Sequence, residues 1–339
     1  MHNRDINTGK VPSSLLCDLL HKVKISDQRV ILGPKLGEDA ALIDFGDKYL
    51  VATTDPITFA TELLGWYLVH INSNDIAAMG GTPQWLLTTL LLPEGTTTEQ
   101  TENIFDQIVD TCSNLNITLI GGHTEVTTQV SSPIAIGTML GEVDKTKTIY
   151  SSGAQLGDSI LLTKRIAIEG TAILARESSN ALHSAGISDQ VIKQAANLLF
   201  SPGISIINEA NIACNAVDVH AMHDLTEGGL ANGIREIALA SKIGIEIYPE
   251  KIGLIPECEY ICSVLSINPM GLIASGSLLI IISPDDVKSL TASLNEKNIE
   301  VQEIGRVTNP ESGIKLNELD GIVDLPIFEQ DELTRWYAE

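Results

Sequence analysis

Apolar positions recur along this chain with two periods, and each switch between the periods marks a new element. Leu15, Leu16, Leu19, Leu20 and Val23 fall three and four apart, so "SSLLCDLLHKV" (13–23) predicts an amphipathic helix. "AALIDF" (40–45) and "YLVATTD" (49–55) read as strands across the turn signal "GDK". Asp55 closes the second strand, and Pro56, which has no N–H to give, is expected to end its pairing. A helix is predicted over 63–79, stopped by Gly80, Gly81 and Pro83. "QWLLTTLLL" (84–92) predicts a buried strand, 97–116 a two-faced helix, and "ITLIGG" (117–122) and 132–143 further strands. Beyond "SSGAQLGD" (151–158) the pattern restarts with strands at 159–164, 216–224, 244–249, 277–283 and 301–307. Helices are read at 170–178, 230–241, 258–266 and 285–297. The expectation is a two-domain protein, an α+β domain followed by an α/β domain. Its boundaries are an N-terminal helical arm over 1–34, a first domain over 35–150 and a second over 151–339.

Composition narrows the partners. With 44% hydrophobic and 19% charged residues, the 339-residue chain has the makings of a packed core. A net charge of -23 disfavours nucleic acid and anionic membranes, which attract basic surfaces. A phosphate ligand stays open if a cation mediates the contact. Five irregularly spaced cysteines read as reduced thiols, and the apolar run 270–283 is too short and too interrupted to span a bilayer, so a cytoplasmic protein is expected. The acidic tail "PIFEQDELTRWYAE" reads as a solvated terminus.

Four segments set carboxylates or amides at the ends of strands or the starts of helices: "LGEDAAL", "VATTDPIT", "INSNDIAAMGG" and "HDLTEGG". On a helix Asn72 and Asp75 share one face, being three apart. Acids in apolar surroundings must be paired or bind metal if buried, and all-oxygen donors suit Mg²⁺. Gly121-Gly122 follow a predicted strand, and Gly228-Gly229 open a predicted helix where N–H groups can meet phosphate. Neither a Walker nor a Rossmann glycine motif occurs. Another reading is a transition-metal hydrolase using His220, His223 and Asp224, with His123 as an optional fourth ligand. It is disfavoured because "AVDVHAMHD" reads as a strand, which sends the first two to opposite faces.

In order, "GEDAAL", "TTDPIT", "NSNDIAAMGGTP", "GGHTEV" and "HDLTEGGL" resemble the PurM-like superfamily related to aminoimidazole ribonucleotide synthetase. The superfamily also includes thiamine-monophosphate kinase, selenophosphate synthetase and the hydrogenase-maturation protein HypE; the middle of this chain is most similar to HypE. The resemblance spans about 35–310 and implies an N-terminal α+β domain whose sheet joins a second subunit into a homodimer, and a C-terminal α/β domain. It implies ATP and Mg²⁺ as cofactors, with Asp39, Asp55, Asp75 and Asp224 as metal ligands. Catalysis would fall to Asp75, Asp224 and His123, and nucleotide contacts to Asn72, Gly121, Gly122, Thr124, Glu227, Gly228 and Gly229. Two positions depart from HypE: His123 stands where an Asp is common, and the last cysteine is Cys262, whereas HypE proteins end in a carbamoyl-accepting cysteine. The expected function is therefore HypE-like phosphoryl transfer to an unidentified acceptor, either a small molecule or a protein-borne group. The alternatives are a non-catalytic nucleotide-binding maturation scaffold and a thiamine-monophosphate kinase-like enzyme.

Overall fold

The structure, a computed structural model, describes residues 8–58 and 62–338. The first seven residues of the expected arm lie outside that range. The chain divides into two units, one of residues 27–33 and 39–148, the other of 8–26, 34–38 and 149–338. Helix α1 (Ser13–Leu20) forms where the apolar spacing called for it, but none of its side chains is buried. Leu15 and Leu19 remain 37% and 44% exposed, so the stripe contributes nothing to a core.

The N-terminal unit holds β1 (Val30–Leu32), β2 (Ala41–Phe45), β3 (Lys48–Ile57), α2 (Leu64–Ala78), β4 (Thr82–Pro93), α3 (Thr98–Asn114), β5 (Thr118–Thr127) and β6 (Ile134–Asp144). Its six strands lie in the order β1-β2-β3-β6-β4-β5. Only β4 and β5 run parallel, and α3 supplies the crossover that a parallel pair requires. β3 pairs with β6 through Pro56 and Ile57, so the proline removes one donor without ending the ladder. Helix α3 starts at a reciprocal cap, in which Thr97 Oγ1 accepts the Gln100 N–H and Gln100 Oε1 accepts the Thr97 N–H. It buries Ile104, Ile108 and Cys112, one stripe at four-residue spacing. Helix α2 is enclosed nearly all round, and its polar run Asn72-Ser73-Asn74 is fully buried. A polar stretch inside a core must find partners. Ser73 Oγ donates to the Val69 carbonyl at 2.6 Å.

The C-terminal unit continues with β7 (Ser159–Thr163), α4 (Ile168–Glu177), α5 (Ser179–Ser184), α6 (Asp189–Asn197), α7 (Ile207–Ala216), β8 (Val219–Asp224), α8 (Gly229–Ser241) and β9 (Gly244–Ile247). After these come α9 (Pro256–Leu265), β10 (Leu278–Ile282), α10 (Val287–Asn295), β11 (Val301–Thr308), β12 (Ile314–Glu318), β13 (Gly321–Asp324) and α11 (Glu332–Ala338). The sheet order is β13-β12-β9-β11-β7-β10-β8. Strand β10, "LLIII", is wholly buried, as an unbroken apolar run in a central strand should be. Leu230, Ile234 and Ile237 of α8 pack with Leu279, Ile281 and Ile304 in the core beneath it. The tail corrects the sequence reading: α11 buries Leu333 and Thr334, and Asp331 before it is 4% exposed.

Candidate functional site

In the N-terminal unit, β3 and α2 are cross-linked at two successive positions. Alternation along β3 turns Thr53 and Asp55 to the same side, while Asn72 and Asp75 share a face of α2. Thr53 Oγ1 donates to Asp75 Oδ2 at 2.6 Å and lies 3.2 Å from the Asp39 carbonyl oxygen. Asn72 Oδ1 accepts the Asp55 N–H at 2.9 Å, and its Nδ2 donates to the Leu68 carbonyl at 2.9 Å. Asp39, Asp55, Asn72 and Asp75 are thus gathered where β3 meets α2. Asp75 is 5% exposed, a carboxylate held inside the unit rather than on its surface. The three carboxylates among them offer only anionic oxygen, which suits Mg²⁺.

His123 and Thr124 lie elsewhere, on the exposed edge strand β5. His123 Nε2 is 3.2 Å from Glu125 Oε2, and both side chains are largely in solvent. The ladder aligns His123 with Thr89, Ile136 and Pro56 across four strands. Three strand spacings put His123 about 14 Å from β3, far outside the ligand shell of any one cation held there. Gly121 and Gly122 do not follow the strand but lie inside it, at a register shift against β4. At Gly122 a Cβ would run into the Thr88 carbonyl oxygen, so the glycine answers a close approach of two strands.

In the C-terminal unit "HDLTEGG" is the β8–α8 turn, with Asp224 2% exposed. His223 Nε2 lies 2.8 Å from Glu236 Oε2, and His220 Nδ1 lies 2.9 Å from Asp158 Oδ2. The two histidines therefore have separate partners, as a strand demands. Burial pushes the Glu236 carboxyl up, but the Lys10 charge and the His223 hydrogen bond outweigh it and hold it at about 2. Lys10 also donates its N–H to Glu227 Oε2 at 3.2 Å and its Nζ to Thr226 Oγ1 at 3.2 Å. The Gly228 N–H, expected to face phosphate, instead donates to Asp331 Oδ2 at 2.6 Å. The Gly229 N–H donates to the Thr226 carbonyl at 3.0 Å. Gly228 has φ 78°, and a Cβ there would run into the Asn232 side chain. The glycine pair thus builds a tight turn closed from within the chain.

Two buried acids with raised carboxyls escaped the sequence reading. Asp331 has its carboxyl pushed up to about 6 by burial, against the pull of backbone N–H donors from Gly228, Leu333 and Ile273. Glu169, in the first turn of α4, is pushed up to about 7 by burial, with the Ser275 hydrogen bond opposing and the charges of Asp331 and Glu227 adding. The thiols of Cys258 and Cys262 are pushed up to about 11 and 12, chiefly by burial, as expected of packing residues. No described helix is long and apolar enough to cross a membrane.

Two family profiles match the chain: AIR synthase related protein, N-terminal domain, over residues 37–143, and AIR synthase related protein, C-terminal domain, over 155–316. The chain belongs to the AIR synthase related family. Among relatives in this PurM-like family, a putative hydrogenase expression/formation protein of Methanocaldococcus jannaschii is 31% identical over 332 residues, covering 94% of this chain and 95% of the relative. The solved structure of hydrogenase maturation protein HypE in complex with ATP superposes with a TM-score of 0.72 at 22% identity, covering 89% of this chain and 92% of that one. AaThiL complexed with AMPPCP and TMP gives 0.70 at 21% identity, covering 91% and 96%. At such identities the superpositions establish the two-domain AIR synthase related fold.

Proposed function

We propose that this chain is an ATP- and Mg²⁺-dependent enzyme, HypE-like in type, that activates a small-molecule or protein-borne acceptor by phosphoryl transfer. The observation that carries the reading is the β3–α2 frame, which holds Asp55 and Asp75 from inside the unit beside Asp39. Bound Mg²⁺ would neutralise charge on the transferred phosphoryl group. Asp39, Asp55 and Asp75 would hold the metal. Thr53, by its hydrogen bond, keeps the Asp75 carboxylate in a fixed rotamer. Gly228 is left out of this assignment because its N–H is already engaged by Asp331.

The test is thermal melting with a non-hydrolysable ATP analogue and Mg²⁺. A ligand at 100 times its Kd stabilises the native state by about 2.7 kcal/mol, enough to move the melting temperature by several degrees. The shift should require both nucleotide and metal and should vanish in Asp75→Asn. No shift at millimolar Mg²⁺ and nucleotide would sink the reading. The closed β8–α8 turn favours a second reading, a nucleotide-binding scaffold without turnover; ATP hydrolysis on offering candidate acceptors, thiamine monophosphate among them, separates the two.

For the N-terminal sheet we infer a second copy of this chain as partner. The uncovered face carries Leu50, Trp85, Leu87 and Leu140, all half-buried, and the β5 edge exposes Ile120 and Val126. Apolar side chains on an open face and edge favour pairing with another sheet.

A further inference from the structure

We propose that Asn72 is a positioning residue, its buried amide fixing the backbone of Asp55 against α2 so that Asp55 and Asp75 stand ready for one divalent cation. This rests on the reading of those acids as metal ligands. Asn72 is 0% exposed at the centre of α2. A single side-chain amide addresses both polar groups of the Asp55 backbone: Oδ1 accepts the N–H at 2.9 Å, and Nδ2 lies 3.4 Å from the carbonyl. The second N–H of Nδ2 is spent on Leu68 one turn back. Asp lacks the donors and Leu lacks everything, so at this reach only an amide serves.

The opposite side of Asp55 is shaped to match. In the ladder Asp55 stands across from Gly137 of β6. A Cβ at Gly137 would lie 2.5 Å from Asn72 Nδ2, so the amide occupies the place a side chain would fill. Asp55 is gripped between the β6 ladder and the Asn72 amide, while Thr53, two residues earlier, secures Asp75. The spacing of the two acids is thereby set by protein contacts. Two carboxylates brought together without a cation repel each other, and a frame that holds them removes the reorganisation a cation would otherwise have to drive. Residues that orient metal ligands typically change metal affinity ten- to hundredfold when removed.

Mn²⁺ titration followed by electron paramagnetic resonance, at saturating non-hydrolysable ATP analogue, reads binding without turnover. Asn72→Ala should weaken Mn²⁺ about ten- to hundredfold. Asn72→Asp, which keeps the acceptor for the Asp55 N–H, should fall between it and the wild type. Gly137→Ala, which drives a methyl into the amide, should resemble Asn72→Ala. If Asn72→Ala does not fold, the other two variants carry the comparison. Unchanged Mn²⁺ affinity in folded variants with lowered melting temperatures would overturn the proposal, leaving Asn72 as core packing. A wild-type protein that binds no Mn²⁺ would instead overturn the metal reading beneath it.

Discussion

Replacing Glu169 by Gln should favour the folded protein more in base than in acid, relative to the wild type. Glu169 is 3% exposed, and its Oε2 accepts the Ser275 N–H at 3.0 Å. Its carboxyl is raised by burial from 4.5 to about 7. The folded chain therefore keeps a proton that the unfolded chain releases between those values. For such a group stability falls as pH rises through that window, because the native state binds more protons. The difference, 7 − 4.5 = 2.5, at about 1.36 kcal/mol per unit comes to about 3 kcal/mol, fully developed above pH 7 and absent below pH 4.5. Gln keeps an oxygen for the Ser275 N–H but cannot ionise. Its amide hydrogens need a partner, which costs about 1–3 kcal/mol if none is found. That cost does not vary with pH, so the comparison across pH isolates the charge. Urea unfolding of both proteins at pH 5 and pH 8.5 gives two stability differences. The value at pH 8.5 should exceed that at pH 5 by about 2–3 kcal/mol, equivalent to roughly 4–12 °C in melting temperature for a unit of this size. Equal differences at the two pH values would refute the idea that Glu169 is ionised at a cost in the native protein.

Asp331→Ala removes the acceptor for the N–H groups of Gly228 and Leu333 and should destabilise the larger unit by about 1–3 kcal/mol. Hydrogen exchange at Gly228 should accelerate, and unchanged exchange there would contradict the geometry. Val126→Lys places a charge on the exposed β5 edge and should shift a dimer toward monomer in analytical ultracentrifugation, a result that fails if the wild type is itself a monomer.

Much of the strand framework was legible because β10, β4 and β3 carry apolar runs or alternation strong enough to survive any context. The frame at β3 and α2 was legible too, since Asn72 and Asp75 share a helix face by spacing alone. What escaped was decided by distant chain. The Gly228 N–H finds its acceptor 103 residues away, in a tail whose composition resembles a solvated end. Gly122 looks like a ligand-facing glycine until the Thr88 carbonyl of the neighbouring strand is set beside it. Nothing in "IAIEGTAIL" announces that Glu169 will be buried, because a single acid in a first helical turn is ordinarily a favourable surface charge. Pro56 was read through its missing donor, yet the strand stays aligned through Ile57.

The β8–α8 turn is held by Lys10 from one end of the chain and Asp331 from the other. Residues 39–148, by contrast, draw on no segment synthesised after position 148 for their own unit. During translation that stretch has all its partners long before its surrounding unit does. The opening helix must wait for residues 39–148 to pass before the bulk of its own unit follows, and the β8–α8 turn lacks an acceptor for the Gly228 N–H until Asp331 has been made. Emergence of Asp331, rather than of the α8 sequence itself, is the moment at which the turn before α8 can close.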